Sequence, residues 1–253
     1  MERRIPLRIE SDSGLPIEAF PPEGIALSKS PRRTDEPGNR LLIQRIASSN
    51  AVLITAIPWI LELITPAVGS MSPSEIFSPL GVQELRQALP TGVTQTLPET
   101  YGCDYVLIDQ SLFRPAATRH SPVALGRKDI PPEQIELRIS ERRKPVADDF
   151  VWAFACYHND PDAAATELAP FGPRCASIAI VIWGDDSDIA TLGVGTEVGY
   201  RGQGFGVAVV SAATEWILNQ GAVAWYGAYA DNIPSLRIAR RLGFQLFSQT
   251  IGA

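Results

Sequence analysis

Lysine is almost missing: Lys29, Lys128 and Lys144 are the only three, and arginine supplies the rest of the 22 basic residues. With none beyond Lys144, a phosphate loop ending in Gly-Lys-Ser/Thr is excluded from the C-terminal part of the chain. Cysteine is scarce and odd in number. Cys103, Cys156 and Cys175 include no Cys-x-x-Cys pair, which argues against a disulfide framework and a structural zinc site. Histidine occurs twice, at His120 and His158, so a histidine metal site would need carboxylates clustered with it, and none cluster in sequence. No metal is therefore expected. The opening MERRIPLRIESDSG lacks the apolar stretch of a secretory leader, and the cytoplasm is the expected location. The longest apolar run, residues 51–68 (AVLITAIPWILELITPAV), is interrupted by Glu62, Pro58 and Pro66. A carboxylate at mid-bilayer costs several kcal/mol, so the run reads as a buried core helix broken near Pro58 and not as a membrane span.

What remains is a globular composition. The 253 residues are 45% hydrophobic and 20% charged, enough to bury a core in one large domain or two ordinary ones. A net charge of -6 argues against general binding to nucleic acid or to an anionic membrane.

Proline marks the main change in texture: 17 of the 21 precede residue 150, and only Pro234 follows Pro173. Residues 1–38 read as an irregular arm, 39–65 as helix in two pieces around Pro58, and 82–89 as a short amphipathic helix. Residues 104–108 read as a strand, and 114–134 as loop with a helix start near Pro131 and Pro132. From there the pattern sharpens into strands over 151–157, 175–183 and 189–198, with GDDSD (184–188) as a turn. A helix over 207–220 ends at Gly221, and a strand follows over 222–229. A second helix is capped near Asp231 and Asn232 and stopped by Gly243, and QLFSQTI closes as a strand.

The chemistry-bearing segment is strand, then Arg201-Gly202-Gln203-Gly204-Phe205-Gly206, then helix. Alternating glycines let a backbone turn tightly with its N–H groups on one side. The helix start adds free donors and a positive dipole end, which together suit a phosphate. A dinucleotide fingerprint fails, because the third position after Gly204-x-Gly206 is Val209.

The segment resembles the cofactor motif of the GNAT superfamily of acyl-CoA-dependent N-acyltransferases, Arg/Gln-x-x-Gly-x-Gly/Ala. Asn232-Ile-Pro-Ser235 followed by Leu242-Gly243-Phe244 is similar to the family's second motif. The resemblance is clearest over residues 175–247 and extends toward 119 if QIELRI (134–139) is an early strand. It implies an α/β (α+β) fold: a mixed, mostly antiparallel sheet with flanking helices and a splayed central strand pair. The GNAT-like domain would occupy 119–253, and 1–118 would form an arm and a largely helical cap. It implies acetyl-CoA as acyl donor, with the backbone of Val194, Gly195 and Thr196 pairing with the pantetheine arm. Arg201, Gly202, Gln203, Gly204, Phe205, Gly206 and Val207 would hold the diphosphate, and Asn232 would touch the cofactor from the other side. An amine would attack the thioester directly.

Two departures from the family pattern bear on catalysis. Ala239 stands where many members carry a tyrosine acid, and Gly227 where many carry a glutamate. Glu197 and Tyr229 are the candidate base and acid, with His158, Asp188 and Tyr226 as further candidates. Each also has a plain reading, as strand-end or surface polar residues or as packing, and Asn232 as a helix cap. Arg237, Arg240 and Arg241 read as a solvated face or as a clamp for a 3′-phosphate. An N-acetyltransferase acting on an unidentified amine and a non-catalytic acyl-CoA sensor both fit the motifs. A homodimer is one way to cover the apolar 51–68 run.

Overall fold

The structure, a computed structural model, describes residues 4–107, 109–130, 151–160, 167–183 and 188–253. The chain forms two compact units, Met1–Tyr105 with Ala228–Ile233 and Leu246–Ala253, and Val106–Gly227 with Pro234–Gln245. The C-terminal strand residues therefore fold with the N-terminal hundred.

The first unit is built on strands, which corrects the expectation of a largely helical N-terminal region. Strands β1 (Gly24–Lys29), β2 (Leu41–Ile46) and β3 (Ala51–Ala56) pair in the order β1-β3-β2, and β2 continues onto β10 (Gln245–Gly252). β1 runs parallel to β3, and the other two pairings are antiparallel. The stretch 39–65, read as a broken helix, is the β2–β3 hairpin followed by helix α2 (Pro58–Val68); α1 (Arg4–Ser13) lies in the stretch read as irregular. The misreading has a physical cause. Every residue of β3 is buried, so the strand shows no polar alternation, and periodicity cannot separate it from a buried helix. Pro58 occupies the first turn of α2, where no N–H is needed, and so begins a helix instead of breaking one. Helices α3 (Pro73–Ile76), α4 (Pro79–Ala88) and α5 (Thr91–Thr94) follow, then β4 (Gly102–Leu107). Ile60, Ile64 and Val68 of α2 pack with Val82 and Leu85 of α4 on Ile43, Ile54 and Ile251 of the sheet. Glu62 lies on the exposed side of α2. Among the described residues no helix is long and apolar enough to cross a membrane.

The second unit carries the order β9-β8-β7-β6-β5. These are β5 (Val123–Gly126), β6 (Val151–Tyr157), β7 (Cys175–Trp183), β8 (Ile189–Thr196) and β9 (Val223–Tyr229). Neighbours are antiparallel except β8 and β9, which run parallel. Helix α6 (Phe205–Asn219) packs on β6, β7 and β8, and α7 (Ile233–Arg241) follows β9. β7 is buried from Cys175 to Val181, with Ile178 and Ile180 in a cluster with Leu168 and Phe171. The chain is thus a mixed α/β protein with strands of both orientations. The expected strand at 134–139, the helix start at Pro131–Pro132 and most of the 184–188 turn lie outside the described residues.

Residues 109–122, of which 114–122 belong to the stretch read as loop, form a strap fixed at several points. Arg114 N–H donates to the Leu242 carbonyl at 3.0 Å, and Ala116 N–H to Ser211 Oγ at 2.9 Å. Gly243 makes room for this strap: its φ is +93°, and a Cβ there would stand 1.9 Å from the Leu112 carbonyl oxygen. Gly243→Ala meets both a left-handed backbone and a backbone collision, and is expected to cost about 3 kcal/mol. Thermal unfolding should show Tm lower by about 6–12 °C.

Candidate functional site

β8 and β9 pair from Ile189↔Val223 to Leu192↔Tyr226 and no further. Up to Tyr226 the residues of β9 are buried, and Gly227 is exposed. Val194, Gly195 and Thr196 therefore keep β7 on one side and have no β9 partner on the other. Ser177 on β7 steadies this free edge, donating from Oγ to the Gly195 carbonyl at 2.8 Å, with Thr196 Oγ1 also 2.8 Å away.

The chain then enters the glycine turn. Arg201 Nε donates to the Thr196 carbonyl at 3.1 Å, and Gln203 Nε2 to the Gly199 carbonyl at 2.9 Å, so two side chains fold back to tie the turn to the strand end. Gly204 (φ +92°) is the N-cap of α6 in a left-handed conformation closed to most side chains, and no side chain caps the helix. The first-turn amides of Phe205, Gly206 and Val207 have no intrahelical acceptor, and no acidic residue sits in that turn. The N–H groups and positive dipole end of such a helix start are electrostatically compatible with an anion. Phe205 is buried, Gly206 half-buried, and Arg201, Gly202 and Gln203 are exposed.

The candidate catalytic residues fall in different surroundings. Glu197 is 7% exposed, and its Oε1 accepts the Leu168 N–H at 2.6 Å, so it anchors the segment beside β8. The surface reading of Glu197 does not describe it. Tyr229 is 56% exposed at the end of β9. Asn232 is exposed, with its N–H on the Tyr229 carbonyl at 3.0 Å. His158 is buried against Tyr200 (centroids 4.4 Å apart), and its Nδ1 accepts the Asp160 N–H at 3.2 Å. Tyr226 is buried beside Phe244, and burial raises the pKa of its phenol. Asp188 accepts the Val223 N–H on its backbone carbonyl at 2.8 Å. Ala239 is fully buried. The three cysteines are buried and unbridged, with the Cys175 thiol pushed up to about 12 by burial. Among the described residues no three His, Cys, Asp or Glu side chains gather to hold a metal ion.

His120 is the residue that sequence reading missed. Its Nε2 lies 2.9 Å from the Gln203 carbonyl, and its ring stacks on Phe205 at 3.7 Å between centroids. No spacing signals this, since 83 residues separate His120 from Gln203. The scarcity of histidine was the only hint.

A free strand edge thus leads into a glycine turn and an uncapped helix start. Residues 133–244 match the family model described as the acetyltransferase (GNAT) family. Among solved structures it is similar to a GNAT-family protein from Novosphingobium aromaticivorans, at 20% identity over 60% of this chain and 62% of that one, with a TM-score of 0.40. It is also similar to a GCN5-related N-acetyltransferase from Kribbella flavida, at 14% identity over 69% and 74%, with a TM-score of 0.37. For the ribosomal-protein-S18-alanine N-acetyltransferase of Escherichia coli the identity is 19% over 53% and 91%, with a TM-score of 0.34. The chain spans 53% to 62% of the lengths of the first four structures it resembles. Comparison with curated proteins finds no match.

The anchoring contact is testable. Glu197→Ala leaves the Leu168 N–H without its acceptor and should destabilise the protein by about 1–3 kcal/mol in chemical denaturation. Glu197→Gln keeps an acceptor and should lose less than half of that.

Proposed function

We propose that the protein transfers an acetyl group from acetyl-CoA to an amine, with the coenzyme held at β8 and the start of α6. The observation that carries this reading is the continuity of the free edge at Val194–Thr196 with the uncapped first turn at Phe205–Val207. The edge suits the amide-bearing pantetheine arm, as an added strand would. The turn from Arg201 to Val207 suits a diphosphate, with the Arg201 guanidinium as a nearby cation, and Asn232 is a further proposed contact. A charge-assisted hydrogen bond contributes about 1.5–3 kcal/mol, so a few amides supply much of the affinity. Acetyl-CoA supplies the activated acyl group as a thioester.

The chain's own proton-transfer groups are few. Tyr229, exposed on β9, is the proposed acid. Glu197 is the proposed base, but its engagement with Leu168 supports the anchoring role more than the proton-transfer role. The acceptor then matters. At pH 7 a lysine-type amine costs about 4.6 kcal/mol to deprotonate, and an α-amine with pKa near 8 about 1.4 kcal/mol. Acceptors of the second kind can give their proton to water, and we assign the enzyme to that class.

The buried Ala239 supports one other reading, an acyl-CoA sensor that binds without turnover. Saturating acetyl-CoA is expected to raise Tm, by mass action on the folded state. Gly204→Glu should abolish that rise, because it adds bulk and negative charge at the anion site. No stabilisation of the wild type would overturn the coenzyme reading. Stabilisation without thiol release across a panel of α-amines would favour the sensor.

A further inference from the structure

We propose that His120 is a positioning residue of the coenzyme turn, acting from behind it to aim the Gly204 amide; this rests on the coenzyme reading above. A carbonyl oxygen only accepts, so the 2.9 Å contact requires Nε2 of His120 to carry the proton and donate to Gln203. In a trans peptide the C=O and the following N–H point in opposite directions, and the described residues contain no cis peptide bond. Holding the Gln203 carbonyl toward His120 therefore turns the Gly204 N–H away from it. The imidazole cannot be a ligand of whatever that amide meets. It sets the plane of the peptide that leads into α6.

Further packing and hydrogen bonds make the arrangement specific. The His120 ring lies against Phe205 at an interplanar angle of 25°, and Phe205 in turn meets the Tyr200 ring edge-on at 5.6 Å. A Cβ at Gly204 would stand 3.8 Å from His120 Cδ2, so the ring covers the back of the turn at van der Waals distance. His120 is itself held, its N–H bonded to Thr118 Oγ1 at 3.1 Å within the strap that Ser211 and Leu242 pin to the helices. Peptide planes flanked by glycine have wide conformational freedom, and left alone this turn would sample orientations that cannot bind. Fixing one plane before the ligand arrives reduces the entropy lost on binding.

Side chains that separate the two contacts test this. His120→Phe keeps the stacking and removes the donor. His120→Gln restores a donor near the Nε2 position, whereas His120→Asn is polar but too short to reach Gln203. Calorimetric titration of the full chain with coenzyme A should show Kd raised about five- to tenfold in His120→Phe and His120→Asn, and within about twofold of wild type in His120→Gln. In the free protein, amide order parameters of Gly202 and Gly204 should drop from about 0.85 toward about 0.6 in His120→Phe, and stay high in His120→Gln. Wild-type binding matched by His120→Phe and His120→Asn, with Gly204 still rigid, overturns the proposal alone. A wild type that binds no coenzyme A overturns the coenzyme reading, and this inference with it.

Discussion

The structure around the site depends on where one strand pairing stops. β8 and β9 share a ladder for four residues, and at Leu192↔Tyr226 it ends. Had it continued, the backbone of Val194–Thr196 would be consumed by sheet hydrogen bonds and nothing could be added there. Because it ends, β8 presents an edge that β7 and the Ser177 hydroxyl hold in place. An edge of this kind is usually a hazard for a protein. Here it leads, within eight residues, to a helix start that no side chain caps.

The turn between the two is kept in shape by several contacts, each modest in strength. Arg201 and Gln203 fold back onto the carbonyls of Thr196 and Gly199, and His120 takes the carbonyl of Gln203. Phe205 sits between His120 and Tyr200, and Tyr200 between Phe205 and His158, so both of the chain's histidines end in one aromatic column beside the turn. His158 lies at one end of this column, buried, and His120 at the other.

Much of this was legible in the sequence because it is local. The run 175–183 is long and apolar enough to read as a strand, and β7 spans those residues; the glycine turn carried the family resemblance through residues adjacent in the chain. The failures share one cause. The β2–β3 hairpin read as helix because β3 is buried throughout, and burial on both faces erases the alternation that identifies a strand. Glu197 read as a surface carboxylate because its acceptor role serves an amide 29 residues earlier in the chain.

By itself the sequence determined the order of elements from residue 151 onward, the glycine turn with its uncapped helix, and the motifs that carry the family resemblance; each depends on neighbours in the chain or on short periods. Only the tertiary structure decided that the N-terminal region is built on strands, that Glu197 is buried and engaged, and that His120 stands behind Gln203. Those facts depend on which distant segments share a ladder or a hydrogen bond. Hydrophobic pattern specifies that a residue is buried, and the folded chain alone specifies against what.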